Sequence, residues 1–363
     1  MKIIAGKWLI LFLFILFSCQ KEEIKKNPTI RTIIVYMAAD NSLYNDISTS
    51  LQQMEQGLSE KGVNLIVFIA QPEENSQLLE IHQGGKTLVK TYPAELNAAD
   101  AAVLKEIIQE IISLYPAKEY GLILWSHGTS WMPASSQLRS FANDFGAQMN
   151  IPDLANSLPV KFKFILFDAC MMGSAEVEYE LKDKADYIIA SSTETIYTGF
   201  QYDSLIPELI QTTIDFNAVA QSYYDYYNAL SGEYQSATVS VVQTQYLSDL
   251  AAAMKRLCEN NPVNMDAFDR TSVQRLDVYQ EQYTFDLFDF VNRIFPDANK
   301  EDFIMQLNKV VLCKYHTPQF ILKYYINTYC GLSCYIPVPG RDDLNAYYKT
   351  LKWYQNAGLN YLF

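Results

Sequence analysis

Apolar, β-branched runs alternating with stretches of helical periodicity predict an α/β fold, layered, with a mostly parallel central sheet flanked by helices and a C-terminal α/β domain. Three observations carry this reading. The runs at 32–37, 64–70, 120–125, 162–167 and 187–190 lack sustained polar–apolar alternation, as strands buried on both faces of a parallel sheet do. Between them, stripes such as Leu43, Ile47, Leu51, Met54 and Leu58 recur every three or four residues, the spacing of one helix face. Strand, helix and strand in succession pack as right-handed βαβ units. A length of 363 residues exceeds one simple core, so a first domain is expected over 31–245 and a C-terminal domain over 246–363.

The first residues stand outside this fold. Lys2 and Lys7 precede an unbroken apolar run at 8–17, too short for a stable membrane span and suited to a secretory signal. The run ends in Leu16-Phe17-Ser18-Cys19, which resembles a bacterial lipobox, whose Cys becomes the lipidated first residue of the mature chain. Residues 1–18 are therefore expected to be a lipoprotein signal peptide, Cys19 the lipid anchor, and 19–30 a polar tether carrying Pro28. Gln20-Lys21-Glu22-Glu23 resembles the export tag of surface lipoproteins. The expected location is the outer membrane, on the cell-surface or periplasmic side.

The remaining elements follow in order. Asn41 or Ser42 caps a helix reaching about residue 60, and Gly62 breaks it. Residues 77–91 form a hairpin turning at Gly84-Gly85. Asn97 or Asp100 starts a helix whose buried face holds Val103, Leu104, Ile107, Ile108, Ile111 and Ile112. A helix starts near 173–181. The distal half is looser: a Tyr-rich helix at 218–230, an alternating strand at 237–242, a periodic helix at 247–257, a helix at 285–291 and a late strand at 331–337.

Composition narrows the function. Apolar residues at 49% and aromatics at 13% exclude a disordered chain. A net charge of −13 repels phosphates, so no nucleic-acid partner is expected. Only three histidines are available for imidazole chemistry.

In sheets of this kind function gathers beyond the carboxyl ends of the strands. The third predicted strand runs into Ser126-His127-Gly128, and the fourth into Asp168-Ala169-Cys170-Met171-Met172-Gly173. Were those strands neighbours, His127 and Cys170 would leave the same sheet edge. A thiolate attacks a carbonyl while an imidazole handles its proton. A helix starting after Cys170 favours thiolate. Gly128 leaves room for a substrate carbonyl, and its N–H with that of Cys170 suits an oxyanion hole. Asp168, two residues before Cys170 in an extended segment, faces the same side and suits a basic substrate side chain; the alternative is a structural Asp accepting backbone N–H groups. His82 and His316 have no metal-ligand spacing around them and are read as non-catalytic. Cys258, Cys313, Cys330 and Cys334 remain, with three full pairings open. Asp286 and Asp289 are read as caps rather than metal ligands, and no metal is expected.

Several blocks together are specific: Tyr36-Met37-Ala38-Ala39-Asp40-Asn41-Ser42-Leu43, Leu124-Trp125-Ser126-His127-Gly128, Phe167-Asp168-Ala169-Cys170-Met171-Met172, Glu176-Val177-Glu178-Tyr179-Glu180-Leu181 and Ala190-Ser191-Ser192-Thr193-Glu194-Thr195. On these, residues 31–210 resemble the clostripain family of cysteine peptidases. The resemblance implies a caspase-like catalytic domain over 31–245, a His127–Cys170 dyad, and endopeptidase cleavage of protein or peptide substrates after Arg or Lys. It implies a specificity role for Asp168. Asp203 is a weaker second acidic candidate, with helix capping as its alternative. Some relatives cut themselves between the dyad residues. Arg139, the only basic residue between His127 and Lys161, is the expected cut, against an intact surface loop. Relatives sometimes need calcium; no loop here has a recognisable ligand spacing, so no cofactor is expected and calcium is left open. Two other readings remain at this stage: a non-catalytic binding lipoprotein on a peptidase-like scaffold, and a Cys-dependent acyl transferase.

Overall fold

The computed structural model describes residues 29–39, 41–59, 62–72, 74–133, 141–144 and 147–363. In chain order the first half holds β1 (Thr29–Ala38), α1 (Ile47–Gly57), β2 (Val63–Ala70), β3 (Gln77–His82), β4 (Gly85–Thr91), α2 (Ala101–Leu114) and β5 (Ala117–Trp125). A small hairpin of β6 (Phe141–Asp144) and β7 (Ala147–Met149) leads to α3 (Ile151–Ser157), β8 (Phe162–Asp168), α4 (Ala175–Leu181) and β9 (Ala185–Ala190). Then come α5 (Tyr202–Leu209), α6 (Phe216–Asn228), β10 (Thr238–Gln243) and α7 (Leu247–Asn260). The distal part holds β11 (Thr284–Asp286), α8 (Leu287–Ile294), α9 (Glu301–Val310) and β12 (Val311–His316). It ends with β13 (Gln319–Phe320), β14 (Tyr324–Tyr325), β15 (Ser333–Tyr335), α10 (Asp342–Tyr348) and α11 (Lys352–Asn356).

The central sheet has the order β12-β10-β9-β8-β5-β1-β2-β3-β4. Its middle five strands are parallel, and the flanking pairs are antiparallel. This is the layered α/β arrangement the apolar runs predict. Alternate side chains feed opposite layers: Ile33, Val35 and Met37 pack with α1, α5 and α6, while Ile34, Tyr36 and Ala38 pack with α2, α3, α4 and α7. Asp100 caps α2, its side chain accepting from the N–H groups of Ala102 and Val103. Asn41 caps a short 3-10 turn, Ser42–Asp46, and α1 itself begins later, at Ile47.

The distal half departs from expectation in three places. β10 is buried along nearly its whole length rather than on one face, because β9 and β12 flank it and both layers cover it. Residues 285–291 divide into the strand β11 and the helix α8, with the Asp286 side chain accepting the Asp289 N–H as the cap. The boundary at 245/246 does not separate two cores. β12 extends the central sheet through β10, Ser333 N–H donates to the Gly173 carbonyl at 2.9 Å, and Tyr335 N–H donates to Glu176 at 2.9 Å. Residues of α7, α8, α10 and α11 belong to the same apolar cluster as α2 and α4. Cys170, Cys258, Cys313, Cys330 and Cys334 are all free thiols; Cys19 lies outside the described residues.

Two contacts fix the strands that matter most. Arg31, at the start of β1, is 1% exposed. Its guanidinium donates to the carbonyls of Leu209 and Gln211 and pairs with Glu119 of β5, tying the end of α5 to the sheet. Gly121 in β5 leaves space for the Phe164 ring of β8: a Cβ there would lie 2.3 Å from it. Phe164 is fully buried and has nowhere to retreat. Gly121→Ala is therefore expected to destabilise the protein by about 1–3 kcal/mol, the usual cost of overpacking, read as a lower denaturant midpoint at unchanged m-value.

Candidate active site

β5 and β8 pair in parallel with Trp125 opposite Asp168. The chain therefore reaches His127 and Cys170 after the same two further residues on adjacent strand ends. Both line a cavity of about 160 Å³ at that edge, together with Leu43, Ser126, Asp168, Thr195 and Tyr197. The expected convergence of His127, Cys170 and Asp168 on one cleft is what the structure has.

Gly128 has a role the sequence reading placed elsewhere. A Cβ on it would lie 2.7 Å from the Cys170 carbonyl oxygen and 3.2 Å from the Ala169 Cβ. The missing side chain admits the chain's own Cys170 loop, and only through that the substrate. The N–H groups of Gly128 and Cys170 donate to no other described residue.

The loop after β8 is stitched to the one after β9. Met171 N–H donates to the Thr193 carbonyl and Gly173 N–H to the Ser191 carbonyl, each at 2.8 Å. Met171, fully buried, takes a left-handed backbone with φ of 61°, uncommon for a non-glycine residue. Beside it the Cys170 Sγ accepts the Thr195 N–H at 3.2 Å and lies 3.7 Å from the Thr195 carbonyl. Burial pushes this thiol up to about 11, with Glu194 and Asp168 adding to the shift and the Thr195 N–H opposing it. This shift runs against the thiolate that a following helix is expected to favour; α4 begins at Ala175, capped by Ser174, five residues after Cys170. Burial thus favours the neutral thiol, which is hydrogen-bonded to Thr195.

Asp168 accepts a backbone N–H, as its structural reading expects, and also lines the cavity. It is 5% exposed. Oδ1 accepts the Phe200 N–H at 3.1 Å and Oδ2 accepts the Tyr202 hydroxyl at 3.0 Å, yet it lines the cavity. Burial raises its pKa to about 7 against those two hydrogen bonds. Gly199, at φ of 57°, makes room: a Cβ there would lie 2.5 Å from Oδ1. Asp203 does not reach the cavity. It sits exposed in the first turn of α5, where a carboxylate suits the helix start, and accepts the Ser204 hydroxyl.

His82 in β3 meets Thr87, and His316 in β12 meets the carbonyl of Thr317; neither approaches the cleft. Asp286 and Asp289 accept backbone N–H groups, and the described residues hold no group of three His, Cys, Asp or Glu placed to bind a metal. Arg139 lies outside the described residues. Missed by the sequence reading were Thr195, Gly199 and Tyr202 around Asp168 and Cys170, and Ser42, whose Oγ is 3.0 Å from His127 Nε2. Ser42 and Thr195 lie in blocks already singled out by resemblance; the other two had no sequence signal.

Gly128→Ala is expected to displace the Cys170 loop. The readings are alkylation of Cys170 slowed at least tenfold and a stability loss of about 1–3 kcal/mol.

A sequence model described as the clostripain family matches residues 35–334. Three solved structures are similar over their whole length. An inactive zymogen C11 protease from Parabacteroides distasonis is 32% identical with a TM-score of 0.80, covering 92% of this chain and 99% of that one. A secreted C11 cysteine protease from Bacteroides thetaiotaomicron, "iotapain", is 25% identical, TM-score 0.80, with 92% and 100% covered. A secreted C11 cysteine protease of the same organism, in complex with an irreversible peptide inhibitor, is 28% identical, TM-score 0.79, with 91% and 99% covered. Clostripain of Hathewaya histolytica is 26% identical over 230 residues, 52% of this chain, which spans only 44% of that relative. With strand-end His127 and Cys170 inside the matched span, the chain belongs to the clostripain family of C11 cysteine proteases.

Proposed function

We propose that this chain is an exported lipoprotein endopeptidase that hydrolyses peptide bonds after Arg or Lys. The observation that carries the reading is one cavity lined by a thiol, an imidazole and a buried carboxylate. Cys170 Sγ attacks the scissile carbonyl as His127 takes its proton; the proton passes to the leaving amine, and water then releases the acid and restores the thiol. Burial favours the neutral thiol, so attack calls for a general base, which is the task of His127. The Thr195 N–H, already on Sγ, favours the thiolate as it forms. The N–H groups of Gly128 and Cys170 hold the oxyanion. Asp168 receives the cationic side chain before the cut. No cofactor takes part, and Cys19 carries the lipid that anchors the chain at the outer membrane.

A peptide-library cleavage profile of the wild type and Cys170→Ala, with and without EDTA, tests this. Cuts after Arg and Lys that vanish in Cys170→Ala and persist in EDTA are expected; full activity in Cys170→Ala overturns the mechanism, and a loss in EDTA reversed by calcium overturns the cofactor-free reading. Because burial lifts Asp168 to about 7, the carboxylate loses its charge as pH falls through that value. The kcat/KM for an Arg peptide should fall with it, more steeply than for a citrulline peptide. Asp168→Asn should cost the Arg peptide at least about two orders of magnitude, a buried cation having lost its partner, and should remove the difference between the two pH profiles. Cys19→Ser is expected to move the protein from the detergent-rich to the aqueous phase on partitioning.

A further inference from the structure

We propose that Ser42 is a positioning residue for His127, the third member of a nucleophile, base and orienter set carried on three consecutive strand ends. The proposal rests on the cysteine-peptidase reading above. Cys170 follows β8, His127 follows β5 and Ser42 follows β1, and β8-β5-β1 are neighbours in the sheet. Cys170 and Ser42 thus lie beyond the strands on opposite sides of β5. The Ser42 Oγ to His127 Nε2 separation of 3.0 Å is a hydrogen bond.

Both residues hang from one anchor, the Ala38 carbonyl at the end of β1. It accepts the Ser126 hydroxyl at 2.8 Å, next to His127, and the Asn41 side-chain amide at 2.9 Å, next to Ser42. Asn41 Oδ1 also accepts the Leu43 N–H at 2.9 Å, fixing the turn from the other side. The hydroxyl and the ring are therefore held relative to each other by the backbone and not by a long flexible side chain.

The partner of one imidazole nitrogen sets the tautomer and the work of the other. With Nε2–H donated to Ser42 Oγ, proton exchange runs through Nδ1. Nδ1 takes the thiol proton as the sulfur–carbon bond forms and gives it to the leaving nitrogen as the carbon–nitrogen bond breaks. It then takes a proton from the attacking water and returns it to sulfur as the thioester opens. Ser42 keeps its own proton throughout and accepts most strongly when the ring is cationic. Ser42 is exposed and belongs to neither apolar layer, so its hydroxyl bears on the imidazole and little on folding.

The test uses the full chain and measures Cys170 alkylation by iodoacetamide against pH, which needs no peptide cleavage, alongside kcat and KM on an Arg peptide. Ser42→Ala is expected to lower kcat about tenfold, the worth of one such hydrogen bond, with KM unchanged. Its alkylation midpoint should move to higher pH, and its thermal midpoint should stay within about 2 °C. Ser42→Thr should recover both rates. His127→Ala sets the floor. If His127→Ala alkylates like wild type, the dyad itself is wrong; if only Ser42→Ala matches wild type in rate and pH profile, the positioning role is overturned and the peptidase reading stands.

Discussion

The parallel pairing of β5 with β8, in the register that sets Trp125 opposite Asp168, is the constraint from which the rest of the site follows. A one-residue slip would turn each side chain of a strand to the other layer, and both layers are fully packed here. The register is therefore held by the whole core, and Gly121 beneath the Phe164 ring keeps the two strands close. Given that register, two loops of equal length deliver His127 and Cys170 to one edge. Gly128 then lets the two backbones touch, and the stitching of Met171 and Gly173 to Thr193 and Ser191 fixes the height of the thiol.

The electrostatics of the cleft follow from burial. Asp168 is buried and Cys170 half-buried, and desolvation drives both toward their neutral forms. With the proposed preference for Arg or Lys, a cationic substrate side chain would reverse this for Asp168 and relieve the repulsion between a forming thiolate and its acidic neighbours. Substrate binding and nucleophile activation would then be coupled through one small volume. Tyr202 and Gly199 complete the device by holding the carboxylate in place while leaving one side of it toward the cavity.

Much of this was legible in the sequence. Five apolar runs became five parallel strands, and the two blocks at strand ends brought Cys170 and His127 to one cavity. Asp168 was legible because it stands two residues from Cys170 in an extended segment. Asp203 misled because an acidic residue lining a cleft looks the same on paper as one opening a helix. β10 misled because Thr238 and Ser240 mimic a wet face, while in the fold their hydroxyls are buried. The join of the distal half to the central sheet rests on pairing between β10 and β12, about 70 residues apart in sequence, and no local pattern encodes it. Asn41 or Ser42 was read as a helix cap; the bond from Ser42 to His127 depends on β1 lying beside β5, which is a property of the sheet order.

Intact-mass kinetics with an irreversible peptide ketone bearing Arg test most directly whether Cys170 is a nucleophile reached by substrates whose basic side chain sits on Asp168. A single adduct on Cys170 is expected, absent in Cys170→Ala and formed at least about a hundredfold more slowly in Asp168→Asn. An adduct on another residue, or one formed equally fast in Asp168→Asn, would contradict it.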